Sequence, residues 1–182
     1  MIPPLFRTPG RTIAVLYGAI VAQARDPRLY QAYRVPDTVL GRFDLIVLHL
    51  LLLLRRLRGD AAMRAFAQGV FDAFCRDMDH NLREMGISDQ SVPRQMRRVG
   101  EAFYGRARAY DAALGERGDG ALTEALARNL YTEASEPQVA AIELAAYVRQ
   151  VVETLGAQRL GDLARGTVRF PEPATAPTPA AE

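Results

Sequence analysis

With 182 residues, 49% of them hydrophobic and 24% charged, the chain has the size and composition of one globular domain with room for a short tail. A net charge of +2 excludes a global field that would gather nucleic acid, and the lone Cys75 excludes an internal disulfide, which suits a reducing cytoplasm. All 23 basic residues are arginine, so every cation is a planar fork able to pair with carboxylate or backbone oxygen.

Met1 to Gly10, with Pro3, Pro4 and Pro9, reads as a loose lead-in. From Arg11 to Arg25 the residues Ile13, Leu16, Tyr17, Ile20, Val21 and Ala24 follow helical spacing. Arg7 and Arg11 before an apolar stretch, and Ala22-Gln23-Ala24 after it, imitate a secretory signal; the amphipathic spacing favours a packing helix instead. Asp26-Pro27 breaks that helix, and Arg28 to Arg34 forms at most a short helical turn carrying Tyr30 and Tyr33. Asp37 or Thr38 then caps a long helix to about Arg58. Its run from Leu45 to Leu54 is apolar except for His49, far too short to span a bilayer, and reads as a buried helix.

Gly59-Asp60 separates it from a helix over Ala61 to about Met85, where Met63, Phe66, Val70, Phe74, Met78, Leu82 and Met85 draw a continuous apolar stripe. Gly86 is its natural stop. Cys75 sits among Phe71, Ala73 and Phe74 as a small buried hydrophobe. Ser91 and Pro93 start a further helix with Val92, Met96, Val99, Phe103 and Ala107 on its inner face. The glycine-rich stretch Gly115 to Gly120 is a loop; helices over about Ala121–Tyr131, Pro137–Leu155 and Gln158–Ala164 follow. Phe170 to Glu182 is rich in Pro and Ala and cannot bury a core, so residues 166–182 are expected as a disordered tail. The expected fold is all-α: a single-domain bundle of six or seven helices over residues 11–165, with no sheet, because no stretch alternates with period two.

Catalytic signals are thin. There is no phosphate-binding glycine loop, serine is scarce, and two histidines leave little for a nucleophile–base pair, so no enzyme activity is expected. The densest polar patch runs from Asp77 through Asp79, His80 and Arg83 to Glu84. Asp77, His80 and Glu84 share a helix face, which, with His49, makes a metal- or haem-binding protein or small enzyme the alternative function. Di-iron bundles need Glu-x-x-His on two helices, and only one reversed half-motif is present, so no metal or other cofactor is expected. The helix after Ser91 is locally basic through Arg94, Arg97, Arg98, Arg106 and Arg108 against Glu101, with Tyr104 and Tyr110 interleaved. An ordinary solvated face explains this, as does a surface for RNA phosphate or anionic lipid. The acidic turn at 77–84 is expected to pair with these arginines.

The series Tyr33-Arg34-Val35-Pro36-Asp37-Thr38, Gly41-Arg42-Phe43, Leu48-His49, Asp77 through Gly86, Val92-Pro93 with Met96, and Phe103-Tyr104-Gly105-Arg106 with Tyr110 resembles the ubiquinol–cytochrome c chaperone family. The likeness runs from about Tyr17 to Leu163, with His80 standing where the family often has Arg and Arg94 where it has Lys. The resemblance implies a bacterial, non-catalytic chaperone that assembles respiratory complex III by binding newly made cytochrome b. It implies a cytoplasmic protein, peripheral at the inner membrane when it meets its client, with a ribosomal or anionic membrane surface and a second assembly factor as further partners. The acidic turn and the basic helix together supply the expected partner-binding residues: Asp77, Asp79, Arg83, Glu84, Arg94, Arg97, Arg98, Tyr104 and Arg106. An exposed apolar groove is expected for such a client, supplied by the surplus of Leu45 to Leu54.

Overall fold

Leu45 to Leu54 are all buried, and this determines the architecture. A helix that is apolar on every side must be surrounded by others. In the computed structural model, which describes residues 9–175, this stretch lies in the long helix α3 (Val39–Arg58), preceded by α1 (Pro9–Ala24) and α2 (Pro27–Gln31). After it come α4 (Arg64–Glu84), α5 (Val92–Gly115), α6 (Gly120–Leu130), α7 (Pro137–Ala157) and the single turn α8 (Leu160–Ala164). Helices α1, α4, α5, α6 and α7 all pack on α3, and α6 pairs with α7. Among the described residues there is no strand, so the fold is the all-α domain expected. None of these helices is long and apolar enough to cross a membrane.

Local signals set the helix ends. Thr38, the second of the two cap candidates, starts α3: its Oγ1 accepts from Gly41 N–H at 3.1 Å, while Asp37 pairs with Arg42 at 2.7 Å. Gly41 is fixed by close approach, since a Cβ there would lie 2.0 Å from the Pro36 carbonyl oxygen. Asp60 caps a 3-10 turn, Ala61–Met63, that leads into α4. At the far end of α4, Gly86 takes φ of 81°, its N–H bonds Arg83 O at 3.0 Å, and Ile87 N–H bonds Leu82 O at 3.1 Å. This is a Schellman stop. Ser91 precedes α5 without capping it; its hydroxyl bonds Ser88 instead.

Helix α1 behaves as the amphipathic packing helix read from its spacing, with Leu16, Ile20 and Ala24 buried against α3 and α4. The lead-in over residues 1–10 lies mostly outside the described residues, and α1 already begins at Pro9. The expected disordered tail needs correcting over residues 166–175, which form an ordered strap. Gln158 grips its backbone, accepting from Arg169 N–H and donating to Arg169 O, both at 2.8 Å. Phe170 packs edge-on to His49, Pro173 is buried, and Ala174 N–H donates to the Tyr33 hydroxyl at 2.9 Å. Proline costs a segment its helix, but it does not prevent side chains and carbonyls from finding partners on a core already built. The rest of the expected tail, 176–182, lies outside the described residues.

Candidate functional site

Three apolar stripes run past the end of the core and leave an open groove. On α4 the stripe predicted from Met63 to Met85 is buried at Met63, Val70, Phe74 and Met78 but emerges at Leu82 and Met85. On α3 Val39 and Leu40 follow the cap on the outer side, 74% and 54% exposed, with Phe43 and Ile46 below them. On α5 Val99 and Ala102 close the third wall. The result is a trough of about 750 Å³ whose floor is Phe43, Ile46, Met78, Leu82, Val99 and Ala102. Apolar surface left in water forgoes the roughly 25 cal/mol per Å² that burial would contribute, and a contiguous patch of this kind marks a surface kept for a partner.

The rim is charged. Arg25, just past α1, Arg42 on α3, Arg98 on α5 and Glu84 on α4 line the opening. Arg42 is engaged by Asp37, whose carboxyl it holds below the ordinary range, and Glu84 by His80 at 3.1 Å. Among the described residues no carboxylate pairs with Arg25 or Arg98, so the rim carries spare positive charge.

The residues expected as a partner-binding set are spread over several places. Glu84 and Arg98 reach the groove. Asp77 turns to α1 and accepts from the Tyr17 hydroxyl at 2.7 Å, in the wall of a separate 590 Å³ recess between α1 and α4. Asp79 pairs with Arg83 at 2.8 Å, and Arg83 also engages Asp89. Arg94 and Arg97 are exposed on α5 and have no ion-pair partner among the described residues. The expected network between the acidic turn and the α5 arginines therefore does not form. Local pairs four residues apart on α4 satisfy the acids first, because they need no alignment between helices. Tyr104 stands 58% exposed beside a smaller notch of about 300 Å³ lined by Phe71, Phe103, Arg58 and Arg64.

Arg106 is a second correction. Its side chain is largely buried, with Nη2 2.6 Å from Asp44 Oδ1 and its guanidinium 5.8 Å from the centroid of Phe43, the groove floor. Burial pushes the Asp44 carboxyl up to about 6 against the opposing pull of Arg106. The contact is ionic and poorly aligned: Asp44 Oδ1, Arg106 Nε and the Tyr110 hydroxyl make no hydrogen bond among the described residues. Arg106 braces the floor from behind and does not belong to an exposed basic face.

The alternative metal or haem reading does not assemble. His49 is fully buried, its Nδ1 2.8 Å from Leu45 O and its Nε2 2.9 Å from the Tyr147 hydroxyl. A carbonyl only accepts, so Nδ1 carries the proton and Nε2 accepts from Tyr147, which in turn accepts from Gln23 Nε2 at 2.8 Å. Both ring nitrogens are thus engaged, and burial lowers the ring's pKa to about 4. His80 is exposed on α4 and paired with Glu84. Among the described residues no three His, Cys, Asp or Glu side chains converge on a metal position.

Sequence reasoning missed the groove itself. It assigned the apolar surplus to Leu45 to Leu54, which the core consumes entirely, and overlooked Val39-Leu40 directly after the Thr38 cap. The signal was there in the α4 stripe, which continues to the last residue before Gly86.

Residues 31–170 match the family model described as "Ubiquinol-cytochrome C chaperone". The chain is similar to a solved structure, the crystal structure of the Cbp3 homolog from Brucella abortus. The two share 40% identity over 89% of this chain and 90% of that one, with a TM-score of 0.80. No curated protein sequence matches.

Proposed function

This chain belongs to the ubiquinol–cytochrome c chaperone family, and we propose that it acts without catalysis, holding newly made cytochrome b for assembly into respiratory complex III. The observation that carries the reading is the open groove between α3, α4 and α5, with Val39, Leu40 and Met85 exposed on its lips. Before its partner subunits arrive, a membrane subunit exposes apolar helices that aggregate in water. A trough walled by three helices accepts one such segment in the manner of a helix laid into a hydrophobic groove. Met78 and Met85 suit that task, since an unbranched thioether side chain repacks around differing client shapes. The work fits a cytoplasmic protein meeting its client at the inner membrane, with the exposed arginines of α5 available to a phosphate-rich surface. Deleting the gene should lower cytochrome b and complex III, read from haem b difference spectra and native gels, while other respiratory complexes persist. Normal cytochrome b in the deletion strain would overturn the proposal.

A further inference from the structure

We infer that the segment seated in this groove carries carboxylates beside its apolar face, so that recognition is apolar along the floor and acidic at the edge. The inference rests on the groove being the client site and adds the chemical class of its occupant. Four charged side chains line the opening; Asp37 neutralises Arg42 at 2.7 Å, and Glu84 is engaged by the His80 ring at 3.1 Å, which leaves two positive groups against one negative. Arg25 and Arg98 remain, from different helical elements, with no carboxylate paired to either among the described residues. Had the site evolved for a uniformly apolar segment, these two guanidiniums would lose water on binding and gain nothing, which weakens association. A carboxylate at either edge turns that loss into a charge-assisted, two-pronged contact that also fixes the register of the bound segment.

The shape distinguishes a protein segment from a bilayer. Phe43, Ile46, Met78 and Leu82 lie at the bottom of a trough between three helices, where a flat headgroup surface does not reach. An α-helix, about 10 Å across with its side chains, has the curvature to enter it.

The test uses the full chain and labelled amphipathic peptides with one Leu/Ile face, flanked by glutamates, glutamines or lysines, followed by fluorescence anisotropy. The glutamate peptide should bind tightest, by about fivefold or more over the glutamine form at low salt, and lose that lead as salt is raised. The double variant Arg25→Gln/Arg98→Gln should erase the preference, whereas Leu40→Gln should weaken all three peptides alike. If glutamate and glutamine peptides bind equally while Leu40→Gln weakens both, the groove stands and the acidic inference falls. If no peptide binds and Leu40→Gln changes nothing, the groove reading itself falls. A parallel arm measures co-sedimentation with vesicles of phosphatidylcholine and phosphatidylglycerol. If the double variant loses vesicle binding while its peptide preference persists, the rim is a lipid contact and the inference is overturned.

Discussion

His49 illustrates how one buried polar group is made to fit. Gln23 donates to Tyr147, Tyr147 to His49 Nε2, and His49 Nδ1–H to Leu45 O, a one-way chain joining α1, α7 and α3. The ring stays neutral in the folded protein down to about pH 4, whereas an unfolded histidine protonates near 6.5. A folded pKa below the unfolded one means the unfolded chain binds the extra proton first. Stability from this group is therefore complete above about pH 6.5 and is lost as pH falls toward 4, on the order of 3 kcal/mol in all. Asp44, raised to about 6, acts in the opposite direction over part of that window, so total stability is a poor probe. Comparison with His49→Gln isolates the histidine. Between pH 6.5 and 4 the wild type should lose more urea-unfolding free energy than the variant, and parallel profiles would show that His49 protonates in the fold.

At the scale of one element, α5 separates surface from core within a few turns. Arg94, Arg97 and Arg98 face solvent, while Phe103 is buried against Phe71 at 4.9 Å and Phe74 at 5.8 Å between ring centroids. Exposed substitutions typically change stability by less than about 0.5 kcal/mol each, whereas emptying a buried phenylalanine site costs about 3–5 kcal/mol. Replacing the three arginines with Gln should leave the thermal midpoint nearly unchanged yet impair cytochrome b assembly, because several bidentate contacts to a phosphate-rich or acidic surface are lost together. Phe103→Ala should instead lower the midpoint and the cellular abundance of the protein. Normal cytochrome b assembly by the triple variant would reduce this face to solvated surface.

Taken as a whole, the molecule is closed by its strap. Residues 166–175 run back over α7 and the α1–α2 end of the bundle, tied by Gln158, by Gln23 to Pro171 O at 3.1 Å, and by Tyr33. Phe170 completes the packing around His49. Ending the chain at Arg165 should therefore cost about 3 kcal/mol, from the loss of one large apolar contact and several partly buried hydrogen bonds. Differential scanning calorimetry would register this as a lower midpoint; an unchanged midpoint would mean that the strap only rests on the bundle. The groove lies elsewhere, among α3, α4 and α5, so peptide binding by the truncated chain should survive wherever the fold does.

Helix positions, the all-α class and the stop at Gly86 were legible in the sequence, because caps, glycines and 3.6-residue periodicity act within a few residues along the chain. The ordered series from Tyr33 to Tyr110 carried the family for the same reason: it is a pattern of residues and needs no coordinates. Which apolar residues stay wet was decided only in three dimensions. Leu45 to Leu54 and Val39-Leu40 belong to one helix and are both apolar, yet the packing around α3 buries the first and leaves the second largely exposed. Arg106 and Arg98 likewise share one basic helix, and only the position of Asp44 across the helix interface buries the first and leaves the second on the rim. Burial depends on what packs opposite, and that partner is fixed by the tertiary fold.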